Sequence, residues 1–485
     1  KTSSEVSSPI PLPFTIRAFL ASWLCSPFFI FCLIISVFFV FVSTKTQSSV
    51  LQDMEKLSSE SPDDLLLKIL SFLPTKVAVS TSVLSKRWEF LWMDLSVLEY
   101  DDSILPKDRN DRLWKCNMMR PFIGRNMSLH RAPVIESFRI NFNTAPFEPE
   151  DIKFWVANAV FCCVRELSIN YSLNSIDRPI AYLPSSLYVC ESLVSLKLEG
   201  RILVDVPRVA YIPSLKILSL RRVTYKVESI LERLVYYCPV LEDLVVEESG
   251  DLEALVVISP SLQRLTLEID IECYSYGIVI NTPSLEYFKV TDNWNSDGEA
   301  YIPSYFIGIE DMHKLEEAYM DSKFFSIGDF LNKLTTPVTY DIIGEGIAFN
   351  QLEHLKLCSC QTDLSDLLIR LLEESPNLLE LEIYRRYEHD PSEEPSVCWE
   401  NSDPQCFLRS LQTFKWTSFG GSKNEIELVK YILRNACCLK TATILGLSSH
   451  DPKKKLEVME ELSLSSRGST SCQLEFFCKV LNYYH

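Results

Sequence analysis

The sequence predicts an α/β protein: a helical module, then an irregular solenoid of strand repeats, closed by a C-terminal cap. Three observations lead to this prediction. Apolar residues recur at helical spacing within 61–92. From about residue 134, an apolar-x-x-apolar-x-apolar pattern, typical of a short strand, recurs at intervals of roughly 20 to 40 residues, the range of solenoid repeats. The chain of 485 residues is also too long for one simple core.

Residues 61–92 carry the clearest helical pattern. Ser61 is a suitable N-cap, and Pro62 suits the first position of a helix. The apolar stripe that follows consists of Leu65, Leu66, Ile69, Leu70 and Leu73. A second helix is predicted from the i, i+4, i+7 spacing of Leu84, Trp88 and Leu91. So much apolar surface is difficult to bury within one short segment, so the pattern predicts a partner helix or groove.

The same segment resembles an F-box. The matching residues are, in order, Pro62, Leu65, Ile69, Leu70, Leu73, Pro74, Val83, Leu84, Ser85, Lys86, Arg87, Trp88, Leu91 and Trp92. Ser61 departs from the pattern, because the family usually has leucine there. In the family this module docks a Skp-type adaptor, which joins it to a cullin-RING ubiquitin ligase. The adaptor-binding residues implied by the resemblance are Pro62, Leu65, Leu66, Ile69, Leu70, Leu73, Leu84, Trp88, Leu91 and Trp92. The alternative is an ordinary helical cap without a partner.

Composition narrows the function classes. The formal net charge of −18 argues against a nucleic-acid partner, because phosphates select a basic surface. The 16 cysteines include no CxxC pair, which favours free, buried thiols in a reducing compartment over a zinc site or a disulfide framework. The six histidines lie far apart and belong to no catalytic motif. We therefore expect no cofactor, no metal and no catalytic residue.

The N-terminal part has a different character. Residues 1–17 are rich in serine and proline and are predicted to be disordered, whereas 18–42 contain no charged residue. A helix of that length would span about 37 Å, enough to cross a bilayer. Segment 18–42 is therefore either a transmembrane helix or upstream sequence translated by mistake, because the first residue is lysine. Residues 43–60 form a polar linker.

The regions after the F-box range, 61–100, follow from the repeats. Residues 101–133 are predicted to be a partly helical connector, 134–374 the leucine-rich-repeat solenoid, and 375–485 the last repeats and a cap. Stacked repeats share one core and expose one strand each on a concave face. The residue between the last two apolar positions of each copy should face that concavity. The target-binding residues predicted in this way are Lys197, Ser219, Thr266, Lys289, Tyr319, Lys356, Glu382 and Lys415.

The C-terminal region carries a second resemblance. The segments NLLELEIYRR, CFLRSLQTFKWTSFGG and NEIELVKYILRNACCLKTATI, within 377–444, look like the FBD domain that closes many plant F-box/leucine-rich-repeat proteins. From the residues alone, Asn424 is predicted to cap a helix, and Pro452 to begin another. The segment SCQLEFF is predicted to form a final strand.

The resemblances imply a non-catalytic substrate receptor of an SCF-type, cullin-RING ubiquitin ligase. Such a receptor would bind an unknown target protein in the cytoplasm or nucleus. If residues 18–42 are an anchor, residues 45–485 must face the cytosol. The competing interpretation is a membrane-anchored leucine-rich-repeat scaffold or receptor without a ligase role. An enzyme is a third class, for which the sequence contains no constellation of residues.

Overall fold

The computed structural model divides the chain into two compact units, residues 1–141 and 142–485. The residues it describes are 63–103, 112–143, 147–172, 180–227, 229–247, 254–269, 277–292, 307–310, 312–321, 349–359, 364–385, 404–446 and 452–477. The predictions for 1–17, 18–42, 43–60, Ser61 and Pro62 lie outside the described residues.

The first unit combines helices with a strand pair. Its described elements are α1 (Asp63–Leu70), α2 (Thr75–Ser80), the 3-10 helices Thr81–Val83 and Leu91–Asp94, β1 (Val97–Asp101), α3 (Arg112–Leu129) and β2 (Ser137–Asn141). Strands β1 and β2 pair in parallel. The long helix α3 lies within the predicted connector.

Helix α1 forms where the apolar stripe predicts it. Asp63 and Asp64 begin it, where the helix dipole favours acidic side chains, and Pro74 precedes α2 with an extended backbone. The predicted helix over Leu84–Leu91 is wrong. That segment forms turns closed by i to i+3 bonds, such as the 3.0 Å bond from the Trp88 N–H to the Ser85 carbonyl. Trp88 and Leu91 are nevertheless buried, so these turns bury the spaced apolar residues without a regular helix.

The second unit is built from many short strands. Its first half contains α4 (Pro149–Phe161), β3 (Glu166–Tyr171), β4 (Ala181–Tyr182), the 3-10 helix Ser185–Val189, β5 (Ser195–Gly200), β6 (Ile202–Val204), β7 (Ile217–Arg221), β8 (Thr224–Tyr225), α5 (Ile230–Tyr236), β9 (Asp243–Glu247), β10 (Ala254–Ile258), β11 (Arg264–Ile269) and β12 (Gly277–Asn281). Its second half contains β13 (Tyr287–Asp292), β14 (Ile307–Glu310), β15 (Glu317–Asp321), β16 (His354–Cys358), α6 (Leu364–Glu374), β17 (Glu380–Tyr384), α7 (Gln405–Arg409), β18 (Thr413–Thr417), α8 (Lys423–Asn435), β19 (Thr441–Leu445), α9 (Pro452–Ser463) and β20 (Gln473–Phe477).

The strands of this unit pair in parallel and almost in chain order. The main sheet runs β3-β5-β7-β9-β11-β13-β15-β16-β17-β18-β19-β20. Two smaller parallel sheets, β4-β6-β8 and β10-β12-β14, collect short strands that lie between the main ones. The apolar pattern predicted the main strands but not these smaller sheets. Strands β4, β6 and β8 have only two or three residues each, too few to show a period.

Leucine rows form the core of the main sheet. The second and fourth residues of its strands from β3 to β19 are buried, as with Leu265 and Leu267 in β11. In-register pairing places Leu265 beside Leu244 of β9 and Phe288 of β13, so each repeat covers the apolar residues of the next. The Cys-Pro-x-Leu turn before β9 is closed by a 3.2 Å bond from the Leu241 N–H to the Cys238 carbonyl.

Two predictions for the C-terminal region have different outcomes. Helix α9 begins at Pro452 and the final strand is present as β20. The predicted cap at Asn424 is wrong: Ser422 is the N-cap of α8, and its Oγ accepts a bond from the Glu425 N–H. The Glu425 carboxylate accepts the Ser422 N–H in return, which completes a capping box.

The described residues also show whether any helix could span a membrane and whether the cysteines form disulfide bonds. Among the described residues, no helix has the length and apolar character needed to cross a bilayer. Within the same ranges ten cysteines lie outside any disulfide, and six of them are buried: Cys116, Cys190, Cys238, Cys358, Cys406 and Cys472.

Candidate functional site

The first unit exposes an unusual number of large apolar side chains near its helical start. Leu65 is 38% exposed, Phe72 53%, Val83 73% and Phe90 49%. We call these four residues the apolar patch. Single exposed apolar side chains are common on protein surfaces, and they indicate an interaction site where they form a contiguous surface.

Most of the predicted adaptor-binding residues are buried within the chain itself. The buried ones are Leu66, Ile69, Leu70, Leu73, Trp88, Leu91 and Trp92. Leu65 belongs to the apolar patch, Leu84 is half-buried, and Pro62 lies outside the described residues. The segment therefore buries more of its own apolar surface than expected. Phe72, Val83 and Phe90 of the patch were missed, because helical spacing identifies inward positions and says little about which apolar residues remain outside.

Ionic contacts fix the geometry around the patch. The Arg87 guanidinium contacts the Asp63 carboxylate at 2.6 Å, which brings the turn after Val83 to the start of α1. The Lys68 ammonium lies 5.5 Å from the centroid of the Phe72 ring, and the Arg131 guanidinium lies 6.0 Å from that of Phe90. Each of the two exposed rings therefore has a cation near its face.

The second candidate surface is the side of the main sheet opposite the leucine core. Alternate strand residues point to opposite faces of a sheet. The eight predicted target-binding residues are each the third residue of their strand, and we call the line of third residues the middle row. In-register pairing connects Lys289, Tyr319, Lys356, Glu382 and Lys415 as neighbours on β13 to β18.

Ser219 is the exception among the predicted residues. It belongs to the middle row but is only 7% exposed. Its register neighbours are Lys197 and Val245, whose side chains are longer and leave little of the small serine accessible. Ser219 therefore offers a partner little surface, whereas Lys197 is exposed, and target binding by either residue stays a prediction.

Tyr319 lies between two lysines in the middle row. The Lys289 ammonium lies 5.2 Å from the centroid of the Tyr319 ring, and the Lys356 ammonium lies 5.1 Å from the same centroid. Lys356 is also 5.0 Å from the ring of Tyr384, the fifth residue of β17. The Tyr319 and Tyr384 rings stack, with centroids 5.6 Å apart and planes at 26°. The contribution of Tyr384 was missed because it comes from a different strand position.

Glu382 links the two lysines beside it. Its two carboxylate oxygens lie 3.1 Å from the ammonium groups of Lys356 and Lys415. The Thr417 hydroxyl donates a further bond of 3.3 Å. Burial raises the pKa of Glu382, but the bonds and charges of both lysines outweigh burial and hold its pKa below the usual value. Glu382 therefore stays ionised at neutral pH.

The first residues of the strands form a neighbouring row with a different chemistry. The Arg264 guanidinium lies 4.0 Å from the centroid of the Tyr287 ring. The His354 Nδ1 lies 3.3 Å from the Glu380 carboxylate. A pocket of about 340 Å³ lies between this row and the middle row, lined by Tyr287, Glu317, Ala318, Tyr319, His354, Leu355, Lys356, Glu380 and Glu382.

Tyr384 adds a largely buried phenol to this face of the sheet. Burial, and then the charge of Asp321, raise the pKa of Tyr384, so its phenol stays protonated. Within the described residues, no group of three or more His, Cys, Asp or Glu side chains could hold a metal ion.

Family models match three parts of the chain. The F-box domain model matches residues 62–100, and the FBD model matches 400–444. The model described as "FBD-associated F-box protein At5g56370, LRR repeats" matches 152–316. The last range contains β3 to β13 of the main sheet.

Curated relatives extend the similarity over most of the chain. The putative F-box/LRR-repeat protein At4g15060 of Arabidopsis thaliana is 49% identical over 397 residues, which cover 78% of this chain and 91% of that protein. The putative F-box/FBD/LRR-repeat protein At4g00315 of the same plant is 45% identical, over 86% of this chain and 99% of its own length. The FBD-associated F-box protein At4g10400, also of Arabidopsis thaliana, is 44% identical, over 87% and 100%. The chain therefore belongs to the plant F-box/leucine-rich-repeat/FBD family.

Proposed function

We propose that this protein is the substrate-recognition subunit of an SCF-type, cullin-RING ubiquitin ligase. Its F-box docks a Skp-type adaptor, and its repeats form a solenoid that holds a target protein. The observation that carries the proposal is the F-box match at 62–100 together with the exposed apolar patch in that range.

The adaptor contact is assigned to the exposed side chains. The residues that the structure describes leave Leu65, Phe72, Val83 and Phe90 only partly covered, so a partner can bury more of their apolar surface. The buried members of the predicted set then act indirectly. Ile69, Leu70 and Trp88, for example, hold α1 and the following turns in the shape that presents the patch.

The target contact is assigned to the middle row of the main sheet. Parallel strands repeat the same side-chain position about every 4.8 Å, which gives a partner a regular line of contacts. Lys289, Tyr319, Lys356, Glu382 and Lys415 supply charge, aromatic surface and hydrogen bonds along that line. Tyrosine is enriched in protein interfaces, and the charged residues allow electrostatic complementarity with a partner.

The mechanism is positional and needs no catalytic residue in this chain. A target held on the sheet while the F-box is bound to the ligase experiences a high effective concentration of the ubiquitin-charged enzyme. Proximity then converts an encounter between separate molecules into a reaction within one assembly. Such an assembly would operate in the cytoplasm or nucleus. The membrane-anchored alternative depends on residues 18–42 and stays a prediction.

The proposal is tested by measuring binding of the full chain to a purified Skp-type adaptor. We expect Leu65→Asp and Val83→Asp each to weaken binding at least about tenfold, because each places a charge in an apolar interface. Phe154→Asp is the matched control: Phe154 is 55% exposed, but lies on α4 of the second unit. A folded chain that fails to bind the adaptor, or patch variants that bind as well as the control, would contradict the proposal.

A further inference from the structure

We infer that the middle row from β13 to β18 recognises an acidic, extended segment of the target protein. This inference deepens the proposed function, because it assigns a chemical class to the target. The segment would place carboxylate side chains against Lys289, Lys356 and Lys415, with the Tyr319–Tyr384 ring pair beneath them.

The charge of the row differs in sign from that of the protein. Between β13 and β18 it contains three lysines and one glutamate, a surplus of two positive charges (three minus one). The whole chain carries a formal net charge of −18. An acidic segment is therefore repelled by most of the surface and attracted locally, which favours selective binding at this row.

The lysines keep donors available for a ligand. An ammonium group has three N–H donors, and Lys356 and Lys415 each direct one to Glu382. Their side chains are 35% and 36% exposed, so the remaining donors are accessible from outside. Lys289 contacts the Tyr319 ring, and none of the described residues forms an ion pair with it.

The row is also organised before a ligand arrives. Lys356 is held between two rings and a carboxylate, so little of its side-chain freedom remains to be lost on binding. Glu382 is 14% exposed and has both oxygens occupied, so it fixes the lysines rather than competing for a ligand. Preorganisation of this kind raises affinity because it lowers the entropic cost of association.

A basic segment does not fit the same face. The Tyr319 ring already has two ammonium groups near it, and the Tyr287 ring has the Arg264 guanidinium. A ligand cation would have to displace them. Glu317 and Glu380 are the first residues of β15 and β17, and their carboxylates line the pocket beside the middle row. They repel an acidic ligand from that pocket and so restrict its carboxylates to the lysines of the middle row.

The test uses the full chain and three synthetic peptides of equal length. One alternates glutamate with serine, the second replaces each glutamate with glutamine, and the third replaces each with lysine. We expect binding of the glutamate peptide, weakened by added salt, and no comparable binding of the other two. Preference for the glutamine or the lysine peptide would overturn the inference.

Variants locate the binding to the row. We expect Lys289→Gln and Lys415→Gln each to weaken glutamate-peptide binding about two- to fivefold, the range of single exposed ion pairs, and the double variant about tenfold or more. Lys454→Gln on α9 removes the same charge from an exposed site elsewhere and should have no effect. Equal losses in all variants would overturn the inference.

Adaptor binding is measured on the same preparations. The lysine variants should bind the Skp-type adaptor as the unmodified chain does. A chain that binds the adaptor but not the glutamate peptide would refute the acidic target class and leave the ligase role intact. A chain that binds the glutamate peptide but not the adaptor would refute the ligase role and leave the peptide site intact.

Discussion

Thr75 Oγ1 accepts a hydrogen bond of 2.7 Å from the backbone N–H of Glu99, 24 residues further along the chain. Thr75 is fully buried at the start of α2, and Glu99 lies in the middle of β1. The bond therefore joins the helices of the F-box range to the first strand of the sheet in this unit. It also provides a hydrogen-bond acceptor for the backbone N–H of Glu99 in β1.

We predict that Thr75→Val destabilises the first unit by about 1 to 3 kcal/mol, the cost of an unsatisfied buried donor. Valine preserves the shape of the side chain but cannot accept the Glu99 N–H. Denaturant unfolding followed by a signal from the tryptophans of this unit measures the change. Thr75→Ser keeps the hydroxyl and should retain more of the stability. A valine variant as stable as the unmodified chain would show that the bond contributes nothing.

The capping box of α8 gives a second prediction. Ser422→Ala should lower the free energy of unfolding by about 0.5 to 2 kcal/mol, because the Glu425 N–H loses its acceptor. Asn424→Ala should cost less, because it leaves the bond between Ser422 and Glu425 in place and Asn424 is the second residue of the helix rather than its cap. Thermal unfolding of the two variants distinguishes these positions. The reverse order of effects would restore Asn424 as the cap.

Replacement by alanine should lower the stability at one glycine and raise it at another. Gly200 has φ +94°, and an added Cβ would collide with the Tyr171 carbonyl, so Gly200→Ala should be destabilising. Gly124 lies inside α3 with no atom within 4 Å of an added Cβ. Gly124→Ala should therefore stabilise the helix by roughly 0.5 to 1 kcal/mol. Melting temperatures of the two variants test the pair, and shifts of the same sign would contradict it.

The ion pairs of Glu382 with Lys356 and Lys415 should contribute less to the free energy of unfolding at acidic pH. Its pKa in the folded state lies below the ordinary value of 4.5. A lowered folded-state pKa adds stability that is fully present above the unfolded value and disappears as the pH falls through the folded value. We therefore expect the stability difference between the unmodified chain and Glu382→Gln to be constant near neutral pH and to shrink below about pH 4.5.

Unfolding measured over a pH series provides that test. Glu475→Gln, also in the middle row but on the terminal strand β20, controls for the loss of one negative charge. A Glu382→Gln difference that grows as the pH falls would show that the two lysines do not stabilise the ionised carboxylate.

The predictions that succeeded depend on strictly periodic residues. The leucines of each repeat identify the main strands, and the stripe from Leu66 to Leu70 identifies α1. Both signals are local, because a strand or helix needs only a few correctly spaced apolar residues to have a buried side. The second helix at Leu84–Leu91 failed, since turns can bury the same spacing.

The candidate surfaces were predictable only in outline. Counting along each repeat placed Lys289, Tyr319 and Lys356 in one row, and the register agrees. Counting could not reveal that Tyr384 stacks on Tyr319, because the two residues occupy different positions on strands that are not adjacent. Counting also could not show that Ser219 is nearly buried whereas Lys197 is exposed.

The sequence by itself therefore determined the order of helical and strand-repeat regions and the family, because periodic apolar residues and motif spacing are properties of a single segment. Tertiary structure decided which apolar residues of the F-box range stay exposed and which charges meet on the sheet face. Those outcomes depend on packing between residues distant in sequence, as when Glu382 of β17 joins Lys356 of β16 to Lys415 of β18. No pattern within one segment encodes such a contact, because the contact depends on strand register and on the size of the neighbouring side chains.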